Sequence, residues 1–487
     1  MDHKDVGKVS GPEVLCTAKF QFCPRPDRIT PLKPRILSQT IPEHYPQIKE
    51  RTLKYRQILS ALLITFLGAS LSTAAEEKAF YSPEELEKIY ELSPVPKLPL
   101  DKTNAFADNE KAAAFGKILF FDKRLSCAQN VSCATCHDPQ KGWSDGLATP
   151  KVFSNPHLNS GSKAVSKRRV PSLWNIGYSR WLFWDGRMDS LWSQALGPPE
   201  NPIEMEGGSR LLYAHEVYND PGLKGKYESL FGKMPNLSDL KRFPLKGCPQ
   251  PSNRESAENL AWDSMTTADQ TAVNRVYSNL GKSLEAFERK IVSKNSKFDS
   301  YVAGLKENKK EKPALFSGEE KRGLKLFVGA GKCVDCHSGP NFTDGGFHNL
   351  RVPSRNPDLP DDPGRYAGIA QVKGNIFNGA GSYSDDPKGP SQERLDHLKA
   401  SAVNKGQFKT PGLRNTAVSG PYMHQGQVKT LREVVEYYST LKGAVKLQGP
   451  DEGLLKATHL KDSDIDALVA FLNTLTDESA NAKLGLP

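Results

Sequence analysis

Two Cys-x-x-Cys-His segments, Cys133-Ala-Thr-Cys136-His137 and Cys333-Val-Asp-Cys336-His337, stand 200 residues apart and restrict the chemistry of this 487-residue chain more than any other feature. Two thiols at this spacing can add across the vinyl groups of a haem, and the adjoining histidine then reaches the iron from the proximal side. A zinc site would gather its ligand pairs into one Cys-rich cluster. Here each pair carries its own histidine, which predicts two covalently bound c-type haems with His137 and His337 on the irons.

Further candidates follow each motif. After the first come Trp174, Trp181, Trp184 and Trp192, within Pro171-Ser-Leu-Trp-Asn175 and Phe183-Trp-Asp-Gly-Arg187, and then Gln194 and Asn201-Pro-Ile-Glu-Met205. Taken singly, a glutamate in a proline-rich loop is ordinarily a solvated group and a tryptophan a packing residue. After the second come Leu413-Arg-Asn415, Pro421-Tyr-Met-His424 and Thr430-Leu-Arg-Glu-Val-Val435. Together with Phe121-Asp-Lys-Arg-Leu-Ser126, these elements resemble the bacterial di-haem cytochrome c peroxidase/MauG family over roughly residues 80 to 480.

The resemblance implies two cytochrome c-like haem domains with unequal tasks. The N-terminal haem would meet hydrogen peroxide, with Glu204 and Gln194 on its distal side; a carboxylate there can take a proton from peroxide and return it to the departing oxygen. Trp184 matches the tryptophan that bridges the haems. The second haem would transfer electrons, and its distal ligand falls at Tyr438, where many members carry methionine and MauG carries tyrosine. A hard phenolate oxygen favours ferric iron over ferrous. Met423 competes for that position, and an open or different ligand is the third alternative. Phe153 stands where other members place a removable distal histidine, with His157 out of register, so the first haem is expected to be five-coordinate. Calcium is not expected, although the family binds it: the Ser419 and Pro421 carbonyls match its site, but Arg169 replaces the ligating asparagine, and a guanidinium could supply the charge instead. Arg124, Arg187 and Arg414 are candidate propionate partners, with structural salt bridges as the alternative.

Helices must position these residues, because helix signals recur and strand signals do not. Ser82-Pro83-Glu84-Glu85 and Ser317-Gly318-Glu319-Glu320 read as capping boxes. Val276, Leu280, Leu284, Phe287 and Ile291 mark one apolar helix face, and Ile465, Leu468, Val469, Leu472 and Leu475 another. The expected fold is mainly α, with an N-terminal peroxidatic haem domain over 76–292 and a C-terminal electron-transfer haem domain over 293–487. The lysine-rich stretch 293–312 reads as the boundary, and 242–263 and 353–390 read as long surface loops. No short repeat is evident; the recurring unit is a helix followed by CxxCH.

Residues 54–75 combine a basic start, the apolar run Ile58–Leu67 and small residues before Glu76, the pattern of a secretory signal peptide and periplasmic export. The preceding 1–53 reads as a disordered extension or a misassigned start, with an uncleaved membrane anchor as the alternative. The formal charge of +10 includes this region, so it gives no case for nucleic acid. Outside the haem motifs and the leader, Cys127 and Cys248 are either a disulfide or two separate thiols. The function expected is reduction of hydrogen peroxide with electrons from a small cytochrome c or copper protein. MauG-like oxidation of a protein substrate and plain di-haem electron carriage are the alternatives, and family members are often homodimers.

Overall fold

The structure, a computed structural model, describes residues 80–486 apart from 127–128, 151–167, 202, 206–208, 251–252, 307–315, 356–360, 447–449 and 452. The leader, Cys127, Phe153 and His157 therefore lie outside the described residues. Ten helices carry the argument: α1 (Pro83–Glu91), α2 (Glu110–Phe121), α3 (Arg210–Asn219), α4 (Pro221–Phe231), α5 (Thr267–Glu288), α6 (Lys297–Leu305), α7 (Gly318–Val328), α8 (Arg365–Gly374), α9 (Leu431–Thr440) and α10 (Asp462–Asn473). Two antiparallel two-residue strands, β1 (Phe347–His348) and β2 (Phe408–Lys409), place Phe347 opposite Lys409. Among the described residues no helix is long and apolar enough to cross a membrane.

Each CxxCH motif follows a helix that crosses a longer or equally long closing helix at very short range. A Cβ on Gly116 of α2 would lie 1.8 Å from the Ser283 carbonyl oxygen of α5, and one on Gly323 of α7 would lie 1.9 Å from that of Ala467 in α10. Only glycine permits these crossings. Around the first, Phe115, Phe120, Trp192, Leu280 and Phe287 form one core; around the second, Phe298, Phe327, Phe342, Leu468 and Phe471 form another. The tails are exchanged: Ile89 and Leu92 complete the second core, while Leu484 and Leu486 pack on the first.

Both expected capping boxes form, at Ser82/Glu85 and Ser317/Glu320. The first opens α1, upstream of the first motif, and a further helix, α2, capped by Asn109, stands between it and that motif. Residues 297–305, expected within a polar boundary, form α6, which buries Phe298, Tyr301, Val302 and Leu305 in the second core. Lys297 and the lysines on either side of the helix conceal an i, i+3, i+4, i+7 apolar face. Likewise 353–390 contains α8, with Arg365, Ile369 and Val372 buried, and 242–263 ends in a helix from Ala257 to Asp263.

A repeat at an offset of 240 residues also emerges. Asn175 and Asn415 are both left-handed (φ 57° and 56°), as are Phe183 and Met423 (64° and 66°) and Gly186 and Gly426 (66° and 63°). Isolated bridges join Leu182 to Met188 and Tyr422 to Val428. The two asparagines do the same work. Asn175 Oδ1 accepts from the Ser293 amide just beyond α5, at 2.7 Å, and Asn415 Oδ1 accepts from the Asp477 amide just beyond α10, at 2.7 Å.

Candidate haem sites

The Cys133–Cys136 turn is a single helical turn, and the His137 amide donates to the Cys133 carbonyl at 2.9 Å. His137 Nδ1 lies 3.0 Å from the Trp143 carbonyl oxygen. A carbonyl only accepts, so Nδ1 carries the hydrogen and Nε2 keeps its lone pair. Burial outweighs the carbonyl contacts and lowers the ring's pKa to about 4, keeping it neutral. The second site repeats the device: His337 Nδ1 faces the Phe342 carbonyl oxygen at 2.9 Å, and burial again lowers its pKa. A neutral imidazole with one nitrogen fixed and the other free is what a metal ligand requires.

Beside the first motif stands Glu204, near enough to Cys136 that negative charge on the two would repel. Burial raises the Glu204 pKa, opposed by Arg187 and by a 3.0 Å bond from Asn201 Nδ2 to Oε1. Oε2 is the oxygen left to carry a proton. Gln194 sits in the short Leu191–Ala195 helix, half-buried, with no side-chain bond among the described residues. Glu288, at the end of α5, is a further acid that sequence reasoning missed. It influences Cys133, is 4% exposed, and its Oε2 has no partner among the described residues.

The second motif lines a cavity of about 580 Å³ whose walls include Cys333, Cys336, His337, Leu413, Val435, Leu472, Met423 and Tyr438. A mostly apolar wall, two thiols and a free imidazole nitrogen suit a haem. The Tyr438 hydroxyl has no hydrogen bond among the described residues; burial first, then the two thiols, push its pKa well up. Only a positive charge such as ferric iron would make it a phenolate. Cys336, Asp344 and His348 could also gather a metal ion, but haem attachment would remove the Cys336 thiolate.

Trp184, the expected bridge, is tied to both halves of the chain. Its indole nitrogen donates to the Arg169 carbonyl at 3.0 Å, and its carbonyl accepts from the Lys409 amide at 2.7 Å. It also lines the second cavity. Arg169 is buried, and its Nη2 donates to the Ser419 carbonyl and, at 3.1 Å, to Ser144 Oγ. Burial lowers its pKa to about 10, so it remains a cation at neutral pH.

The three other arginines are differently engaged. Arg124 is half-exposed and pairs with Asp122 and Asp220. Arg187 stacks on Phe183 and pairs with Asp185. Arg414 spends its guanidinium on both Asp299 oxygens, the Pro340 carbonyl and the Leu92 carbonyl. Cys248 is buried and accepts from Gln250 Nε2 at 3.0 Å; Cys127, with which it would form a disulfide or stand as a separate thiol, lies outside the described residues.

Residues 110–307 match the family model for di-haem cytochrome c peroxidase. The cytochrome-c peroxidase IdrP2 of Denitromonas iodatirespirans is 30% identical over 381 residues, spanning 77% of this chain and 84% of the relative. The methylamine utilization protein MauG of Methylorubrum extorquens is also 30% identical, over 79% of this chain and 82% of its own. The crystal structure of the diheme peroxidase BthA from Burkholderia thailandensis matches with a TM-score of 0.54 at 25% identity, covering 79% of this chain and 95% of that one. The chain belongs to the di-haem cytochrome c peroxidase/MauG family, an oxidoreductase family carrying two haems.

Proposed function

We propose that this protein is an exported, periplasmic peroxidase that reduces hydrogen peroxide to water at its first haem, with electrons entering through the second from a small cytochrome c or copper protein. Both haems are attached through the CxxCH thiols, within domains 76–292 and 293–487. Bound there, haem supplies the iron that takes up peroxide oxygen and exchanges electrons.

The observation that carries the reading is Glu204. Its Oε1 is held by Asn201 and its pKa is raised by burial, so Oε2 can accept the proton of an incoming peroxide and return it to the departing oxygen. Gln194, whose side chain has no hydrogen bond among the described residues, is available to orient the peroxide or a water. Trp184, tied by its backbone and indole to Lys409 and Arg169, offers a fixed ring between the sites. Glu204→Gln keeps the shape and removes the proton carrier, so steady-state peroxidase turnover should fall at least about 100-fold with both haems still bound. Unchanged turnover would remove Glu204 from the mechanism.

Tyr438 on the wall of the second cavity supports a second reading, MauG-like oxidation of a partner protein. Peroxide-driven formation of a modified residue on such a partner, without a small electron donor, would favour it over peroxide reduction.

A further inference from the structure

Among the described residues, Lys409 is a cation without a counter-ion. It belongs to β2, its amide is fixed on the Trp184 carbonyl at 2.7 Å, and it lines the cavity that holds Cys333, Cys336 and His337. Among the described residues its ammonium has no hydrogen bond and no ion pair. Burial, the one cause acting on it, lowers its pKa to about 8. Enclosed ammonium groups are costly unless an anion answers them.

None of the acids on the same cavity wall is paired with Lys409 among the described residues, and Asp362 is taken by Arg168 in a two-point pair of 2.8 and 2.7 Å. The repeat sharpens the anomaly. Lys409 stands 240 positions after Arg169, and the two make equivalent backbone bonds, Arg169 to the His424 carbonyl at 2.9 Å and Lys409 to that of Trp184. Arg169 spends its cation on protein acceptors, Ser419 and Ser144. Lys409 does not.

We propose that Lys409 is the binding residue for a propionate of the second haem, its ammonium ion-paired with that carboxylate inside the cavity. The inference rests on the reading of the second CxxCH motif as a haem site. It makes Lys409 a link between the second haem's edge and the Trp184 backbone.

A cation beside a haem carboxylate favours the reduced haem, so its loss should make the second haem harder to reduce. Spectropotentiometric titration of the holoprotein tests this, with the haem count first taken from the pyridine haemochrome. Lys409→Met should lower the second haem's reduction equilibrium constant about tenfold, or about 59 mV for a one-electron couple. Lys409→Arg, which keeps the charge, should stay within about threefold of the native protein. Two haems per chain with an unshifted potential in Lys409→Met would overturn the assignment alone. A count below two in the native protein would overturn the haem-site reading and the assignment with it.

Discussion

Glu288 offers the most direct test of the packing around the first motif, through Glu288→Gln. The carboxyl is 4% exposed, Oε2 has no partner among the described residues, and burial alone lifts its pKa from 4.5 to about 8. Between those two values the unfolded chain has released this proton and the folded chain has kept it. Stability therefore falls as pH rises, by about 1.4 kcal/mol per pH unit, and is restored on acidification. Carried from 4.5 to about 8, the loss approaches about 5 kcal/mol; water reaching Oε2 would relieve part of it, giving an expected range of about 2–5 kcal/mol. Glutamine keeps the shape and cannot ionise. Urea unfolding of native protein and variant should agree within about 1 kcal/mol near pH 4 and diverge near pH 8 in favour of the variant. A difference independent of pH would refute the claim that this acid is buried without a partner.

The helix crossings give a second test: Gly116→Ala or Gly323→Ala places a methyl carbon within 2 Å of a carbonyl oxygen, and each should cost about 3 kcal/mol or prevent folding. Native-like melting of either variant would contradict the close crossing. Arg169 is expected to act as the built-in cation between the halves, so a calcium chelator should leave the absorption spectrum and turnover of the native protein unchanged, while Arg169→Met alters both. Loss of activity on chelation would overturn that role. Tyr438→Met should change the absorption spectrum of the ferric second haem and raise its potential; an unchanged spectrum would exclude Tyr438 as a ligand.

The chemistry was legible in the sequence where it is local. CxxCH is a covalent spacing, and the faces of α5 and α10 recur at helical period over many residues, so neither depends on distant partners. What escaped depends on partners. α6 was masked because the lysine-rich stretch around it obscures four apolar residues until the second core is present to bury them. The pairing of α1 with that core joins residues more than 200 apart, as the Tyr81–Tyr301 hydroxyl contact shows. Glu288 and Lys409 look like ordinary surface charges in sequence. Only the elements packed over them make one a retained acid and the other an unanswered cation. Arg124 and Arg414 are the reverse case: motif position suggested haem partners, and nearby carboxylates already engage both side chains.

The 240-residue repeat explains how one local fold can hold two unequal sites. Pro171-Ser-Leu-Trp-Asn175 and Pro411-Gly-Leu-Arg-Asn415 share backbone conformation and the same asparagine anchor, so their differences lie in side chains. Trp184 is matched by His424, which burial keeps neutral and which stacks on Phe408 at 3.7 Å. An oxidisable indole on one side thus corresponds to an uncharged imidazole on the other. Arg169 is matched by Lys409, and the two reach across to each other's halves: Arg169 binds the His424 carbonyl, Lys409 that of Trp184. A shift of either backbone is therefore passed to the segment that carries Trp184 or His424. Each half thus supplies a backbone amide to the carbonyl of the other's aromatic residue, and because the Arg169 side chain also reaches the Ser419 carbonyl, substitutions at position 169 should be felt at the second haem as well as the first.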